Sequence, residues 1–83
     1  MTSAQIEREP IEVVVAFLRN GMRPLRFRKA GRVYPIQMIH LIHREHRGRE
    51  QWLYFSVSDG TNTYRLAHAT DSAAWYLETV PEL

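Results

Sequence analysis

The sequence contains no cysteine, and this absence limits how the chain can be stabilised. Without cysteine, neither a disulfide framework nor a thiolate metal site can form. With 83 residues, the chain is near the lower size at which a single core sustains a fold. Apolar residues make up 45% of it, so a packed core, helped by self-association, must provide the stability.

Long apolar runs are also missing. The longest nearly unbroken run is VVVAFL, residues 13–18, whereas a membrane-spanning helix needs roughly 20 apolar residues. The first residues, MTSAQIEREP, lack the basic start and apolar stretch of a secretion signal. These features predict a cytoplasmic protein without a membrane partner. Residues 1–10 are expected to be a flexible terminus, and residues 11–83 a single small β domain.

Patterns typical of catalysis are scarce. The four glycines are dispersed and fit turns, so they form no phosphate-binding loop. Asp59 and Asp71 stand in turn sequences, where backbone hydrogen bonding explains an aspartate. Ser56 and Ser58 lack the sequence context of an activated nucleophile. We therefore predict a protein that is not an enzyme and uses no cofactor.

Three histidines, His40, His43 and His46, repeat at a spacing of three residues. On a strand, neighbouring members of this set point to opposite faces and cannot converge on one ion. On a helix they would approach one another, but no carboxylate stands at a convincing fourth position. The sequence therefore predicts no metal site.

The basic residues are concentrated in one part of the chain. Residues 19–49 hold nine of the eleven Arg and Lys residues and a single acid, Glu45, a net charge of +8. The remainder holds Arg8 and Arg65 against eight acids, a net charge of −6. Such an uneven distribution indicates a surface for an anionic or acidic partner.

The segment IEVVVAFL, residues 11–18, predicts a strand because it is rich in β-branched and aromatic residues. A helix is the alternative, with Pro10 in its first turn and Gly21 after its end. A strand followed by an Asn20-Gly21 turn would form a hairpin. A two-residue loop at that turn sets Val14 opposite Phe27.

A second turn, at Ala30-Gly31, predicts that Phe27 faces Tyr34 across the next hairpin. Arg26 and Arg28 then lie on the opposite face, beside exposed apolar side chains. Either the arginine stems cover an apolar strip with their heads in water, or the face is open to a partner.

Residues 35–47 fit either a strand or a helix between Pro35 and Gly48, and we favour a long bent strand followed by a loop, REHRGREQ. The last third is clearer, because WLYFSV, TYRLAH and AAWYLETV alternate between turn sequences. The predicted inward residues are Val14, Leu25, Phe27, Tyr34, Ile36, Met38, Ile42, Leu53, Phe55, Val57, Tyr64, Leu66, Trp75 and Leu77. We predict an all-β fold, a small partly open β-barrel or strongly bent antiparallel meander of five or six strands.

Several short motifs follow one another in a recognisable order: a proline, an Arg-Phe pair, Gly-Arg-x-Tyr, Tyr-x-Leu and a final Trp-x-Leu. The positions are Pro24, Arg26, Phe27, Gly31, Arg32, Tyr34, Tyr64, Leu66, Trp75 and Leu77. Over roughly residues 22–80 this pattern resembles a small bacterial all-β domain family of unassigned function. The chain departs from it in having Arg28-Lys29 where a tryptophan is expected. The resemblance implies an all-β fold and transfers no catalytic residue.

Binding is the function class that remains, and a nucleic acid is the first candidate partner. Cations attract phosphates with an affinity that falls as salt rises, and exposed aromatic side chains stack on unpaired bases. The predicted contact residues for single-stranded DNA or RNA are Arg26, Arg28, Lys29, Arg32, Arg44, Arg47, Arg49, Trp52 and Tyr54.

A protein partner or a second copy of the chain is the other candidate. Val13, Val15 and Phe17 are predicted to lie on the face away from the core, on a strand at the edge of the sheet. An apolar edge strand pairs readily with another strand. The alternative prediction is therefore a homodimer or a protein-interaction domain.

Overall fold

The protein is described by a computed structural model that covers residues 6–79. These residues form seven antiparallel strands, which confirms the all-β class with more strands than predicted. They contain no helix and hence none that could cross a membrane. The strands are β1 (Glu7–Leu18), β2 (Gly21–Lys29), β3 (Arg32–Pro35), β4 (Met38–Arg47), β5 (Glu50–Ser58), β6 (Thr63–Ala69) and β7 (Ala74–Thr79).

The strands form one strongly curled half-barrel sheet in the order β3-β2-β1-β7-β6-β5-β4. The two ends of the sheet meet at the link between β3 and β4. There the amide of Ile36 donates to the carbonyl of Leu25 in β2 at 3.0 Å, and the amide of Gln37 donates to Ser58 in β5 at 2.8 Å. Successive amides of an extended chain point in opposite directions, so this link bonds to both ends of the sheet.

The core fills the inside of the curl. Phe27 stacks on Tyr34 with ring centroids 4.9 Å apart, and it meets Tyr64 of β6 edge to face at 5.3 Å. These contacts join the β2–β3 hairpin to the opposite wall. The buried core residues are Phe27, Leu53, Phe55, Val57, Leu66 and Leu77. The predicted inward residues Tyr34, Tyr64 and Trp75 are partly buried and pack against this cluster.

Strands β5 to β7 agree with the predicted alternation. Phe55 lies opposite Leu66, which in turn lies opposite Leu77, so all three project into the core. The loop between β5 and β6 is held by Asp59, whose carboxylate accepts hydrogen bonds from the amides of Thr61 (2.9 Å) and Asn62 (2.8 Å). The backbone role predicted for this aspartate is confirmed.

The first strand is longer than predicted and pairs with two different strands. β1 begins at Glu7, so residues 7–10, expected to be part of a flexible terminus, pair with β7. The second half of β1 pairs with β2. β1 lies between β7 and β2 in the strand order, but its two halves pair with different neighbours. Residues 12–18 pair with β2 alone, so within residues 6–79 their other side has no partner strand, as predicted for an edge; Ile11 instead pairs with Trp75 of β7.

The register of the first hairpin also differs from the prediction. The turn consists of residues 19–20, and Val13, not Val14, lies opposite Phe27. The register then shifts between Val14 and Val15, a bulge that simple alternation does not reveal. Because of this shift the inward placement predicted for Val14 and Leu25 is wrong, and they are 44% and 40% exposed.

The predicted interface residues Val13, Val15 and Phe17 therefore face the inside of the sheet. Val13 packs against the core and Val15 is half-buried, so their placement on the face away from the core is wrong. Phe17, next to the turn between β1 and β2, is 81% exposed.

The segment after Tyr34 is extended, as predicted, but it is interrupted at residues 36–37. A register shift between Ile39 and Leu41 then places Ile39, not Met38, against the core. Ile36 packs against the core as predicted, whereas Ile42, also predicted to lie inside, is 50% exposed. The predicted loop REHRGREQ is wrong: β4 continues to Arg47, and the turn to β5 consists of residues 48–49.

Candidate binding surfaces

The outer face of the β1–β2–β3 segment carries two of the predicted nucleic-acid-binding residues, Arg26 and Arg28. Because Phe27 projects into the core, Arg26 and Arg28 project outward and are exposed, as predicted. They flank a shallow depression of about 320 Å³ with an apolar floor. Its other outward-facing lining residues are Glu12, Val14 and Val33.

Ion pairs hold two of the four predicted cations of this hairpin. Arg28 Nε donates to the Glu12 carboxylate at 2.9 Å, and Lys29 Nζ lies 3.3 Å from that of Glu9. Within residues 6–79, Arg26 and Arg32 form no ion pair. The two unpaired arginines are therefore the more accessible charges for an anionic ligand.

The remaining predicted cations lie on the β4–β5 hairpin and form a separate group. Arg44 lies opposite Leu53, and Arg49 lies in the turn. Arg47 Nε is 3.7 Å from a carboxylate oxygen of Glu45. Within residues 6–79, the backbone of this hairpin does not approach that of β2 or β3 except at the link at residues 36–37. The predicted nucleic-acid residues thus divide between two regions of the sheet.

Trp52 and Tyr54 face outward, but the prediction that they are exposed is wrong. They are only 7% and 3% exposed, because they pack against each other and Tyr76 and because arginine side chains cover their rings. The guanidinium of Arg8 lies 4.6 Å from the centre of Trp52, and that of Arg65 lies 4.5 Å from the centre of Tyr54. These cation–π contacts occupy the ring faces that a base would need for stacking.

A buried carboxylate holds these arginines in place. The side chain of Glu78 is fully buried, and Arg8 Nε donates to its Oε2 at 2.6 Å. Arg65 Nε lies 3.0 Å from Oε1, within ion-pair distance but not aligned for a hydrogen bond. Burial lowers the pKa of Arg8, but the hydrogen bond and charge of Glu78 raise it by more, so it stays charged.

This cluster escaped the sequence analysis, although a signal for it was present. With Leu66 and Leu77 directed inward, Arg65 and Glu78 must lie on the outer face, and they are direct cross-strand partners. Arg8, by contrast, belongs to the segment that was expected to be flexible. The register of the last hairpin therefore indicates the ion pair between Arg65 and Glu78, but not the one between Arg8 and Glu78.

The histidines of β4 do not form a metal site. His40 Nε2 is 3.1 Å from the hydroxyl of Ser58, while His43 Nε2 is 3.8 Å from a carboxylate oxygen of Glu45. Within residues 6–79, no three His, Asp or Glu side chains are placed to hold an ion.

The fourth histidine, His68 in β6, is buried, unlike those of β4. Its Nδ1 lies 3.2 Å from the carbonyl oxygen of Ala74, and its ring stacks on that of Trp75 with centroids 4.2 Å apart. Burial lowers the pKa of His68 by more than its hydrogen bond raises it. The ring therefore favours its neutral form in the folded protein.

Comparison of the chain with protein families, with curated proteins and with solved structures finds no match.

Proposed function

We propose that this protein is a non-enzymatic binding module that takes single-stranded nucleic acid on the outer face of β2 and β3. One observation carries the proposal: Arg26 and Arg28 flank an apolar depression on an exposed part of the sheet. Guanidinium groups both pair with phosphates and stack on bases, and an apolar floor accepts the face of an unpaired base. The depression therefore offers both kinds of contact without Trp52 or Tyr54.

The charges around the depression support a polyanionic ligand. Arg26 lines the depression, is exposed and has no ion-pair partner in the described residues. Arg32 is also exposed and unpaired there, but it lies opposite Lys29 beside the β2–β3 turn, outside the depression. The carboxylate of Glu12 neutralises Arg28 and would compete with a phosphate for the same guanidinium. Removal of that carboxylate should therefore strengthen binding, whereas reversal of Arg26 should weaken it.

The test is a binding screen against single- and double-stranded DNA and RNA at two salt concentrations. We expect salt-sensitive binding with a preference for single strands. Arg26→Glu should weaken binding and flatten the salt dependence by about 0.7 to 0.9 units of log affinity per log salt for each lost phosphate contact. Glu12→Gln should increase the affinity.

Arg49→Glu is the matched control, because it changes the net charge equally but lies in the turn between β4 and β5. If the proposed site is correct, Arg26→Glu should reduce the affinity for nucleic acid clearly more than Arg49→Glu does. Equal losses would mean that net charge, and not this face, determines affinity. Absence of salt-sensitive binding at about 50 mM salt would refute nucleic-acid binding altogether.

A further inference from the structure

One edge of the sheet is formed by β4, whose outer side has no neighbouring strand in the described residues. This strand has 10 residues and pairs along one side only, with β5. The other sheet edge, β3, has four residues and ends in Pro35, two features that discourage further pairing. A long free edge presents a row of amide and carbonyl groups to which an extended peptide can add.

Exposed apolar side chains are concentrated beside this edge. Of the nine large apolar residues exposed in the described part of the chain, five lie on the first half of β4 or at the end of β1. These are Phe17, Leu18, Met38, Leu41 and Ile42. A groove of about 460 Å³ runs between the β1–β2 turn and the start of β4. Its apolar lining includes Leu18, Met22, Met38, Ile39 and Ile42.

The charge of β4 changes along its length. Its first half, from Met38 to Ile42, has no acidic or permanently charged side chain, whereas its second half carries Arg44 and Arg47. Arg49 follows in the turn, and the one acid of the strand, Glu45, is paired with Arg47. No carboxylate in the described residues lines the groove, and the one cation in its lining, Arg23, belongs to β2 and not to β4. The edge is thus apolar at one end and cationic at the other.

We propose that β4 binds an extended peptide segment of another protein by strand addition. The segment carries acidic residues in its first half and alternating apolar residues in its second half. Antiparallel pairing, the arrangement of every other pair in this sheet, places its acidic half beside Arg44 and Arg47 and its apolar half over the groove. This site is independent of the nucleic-acid surface on β2 and β3.

The probe is a synthetic peptide as long as β4, with Asp and Glu in its first half and alternating Val and Thr in its second half. A peptide of the same composition with the halves exchanged is its control. Anisotropy of the labelled peptides with the full chain measures affinity, and amide hydrogen exchange locates the site. We expect tighter binding of the first peptide and added protection at alternate amides of β4.

Met38→Glu and Val33→Glu form a matched pair of variants, because the two side chains are 55% and 56% exposed but lie on opposite edges of the sheet. A charge in the groove should weaken peptide binding by about tenfold or more, whereas Val33→Glu should change it by less than about twofold. Thermal unfolding of both variants confirms that their folds are intact.

Three results would overturn the proposal. Equal binding of the two peptides would show that charge alone attracts them. Added protection confined to strands other than β4 would place the site elsewhere. A stable dimer of the parent protein that Met38→Glu dissociates in light scattering would show that a second copy occupies the edge instead.

Discussion

Arg8 and Glu78 join the first strand of the half-barrel to the last, with Arg8 Nε donating to the buried carboxylate at 2.6 Å. The Arg8 side chain retains 28% of its exposure, whereas that of Glu78 retains none. The two charges therefore differ in what happens when the partner is lost. Without Glu78, the guanidinium of Arg8 can be hydrated. Without Arg8, the carboxylate of Glu78 can reach water only if the strands around it separate.

This difference predicts unequal effects of two substitutions on stability. Arg8→Met should lower the free energy of unfolding by about 3 kcal/mol, because it leaves a buried carboxylate with only the misaligned Arg65. Glu78→Gln should cost about 1 to 2 kcal/mol, because the arginines keep access to water. Urea denaturation measures both, and a larger loss for Glu78→Gln would contradict this interpretation.

Phe27 joins the β2–β3 hairpin to the opposite wall of the core, and its side chain is only 1% exposed. Phe27→Ala should therefore lower the free energy of unfolding by about 3 to 5 kcal/mol, most of the stability of so small a domain. Val33→Ala, on the neighbouring strand but 56% exposed, is the control and should change it by less than about 0.5 kcal/mol. Comparable losses in the two variants would show that Phe27 has been placed on the wrong face.

A substitution in the turn between β2 and β3 should increase the stability of the protein. Ala30 has a φ of 51° and Gly31 a φ of 78°, the signs that a two-residue hairpin turn requires at both positions. A side chain with a Cβ is strained there, and asparagine tolerates this conformation best. Ala30→Asn should raise the free energy of unfolding by about 0.5 to 1 kcal/mol.

Ala73, with a φ of 62° in the turn before β7, provides a second test of the same effect. Ala73→Asn should give a gain of similar size in chemical denaturation. A loss of stability in both variants would show that asparagine does not relieve the strain at these turns.

The stability of the protein should depend on the protonation of His68. Burial lowers its pKa from the ordinary value of 6.5, so the unfolded chain takes up a proton first as the pH falls. Well above pH 6.5, where both states are neutral, this histidine contributes no pH dependence. Below that pH, the free energy of unfolding should fall until the folded protein is protonated as well.

His68→Phe keeps a ring against Trp75 and removes the titration, so it should flatten the pH dependence just below pH 6.5. His46→Gln, at an exposed position of β4, controls for the loss of a histidine as such. Urea denaturation at a series of pH values makes the comparison. A slope that survives in His68→Phe would assign the effect to other groups.

The strands from Trp52 onward could be predicted because each is short and alternates without interruption. Leu53, Phe55 and Val57 share one face in the sequence pattern and in the structure. In β1 and β4 the alternation is broken by register shifts, at Val14/Val15 and at Ile39/Leu41. A bulge is a response of two paired strands to each other, so the sequence of one strand does not reveal it.

The candidate sites were predictable to a similar extent. The outward direction of Arg26 and Arg28 follows from the inward direction of Phe27 alone. The burial of Trp52 does not, because it depends on Arg8, which lies far away in the sequence and reaches the ring from another strand. An aromatic residue on an outer face is exposed only if no distant side chain covers it.

The amino-acid sequence by itself determined the all-β class, the alternation of β5 to β7 and the concentration of positive charge in residues 19–49. These are local properties, since they depend on side-chain type, turn residues and spacing along one segment. Only the tertiary structure decided that the two halves of β1 pair with different strands, that β4 has a long free edge, and that arginines cover Trp52 and Tyr54. Each of these depends on which distant strands pair, and strand pairing is set by how the whole sheet buries its apolar face.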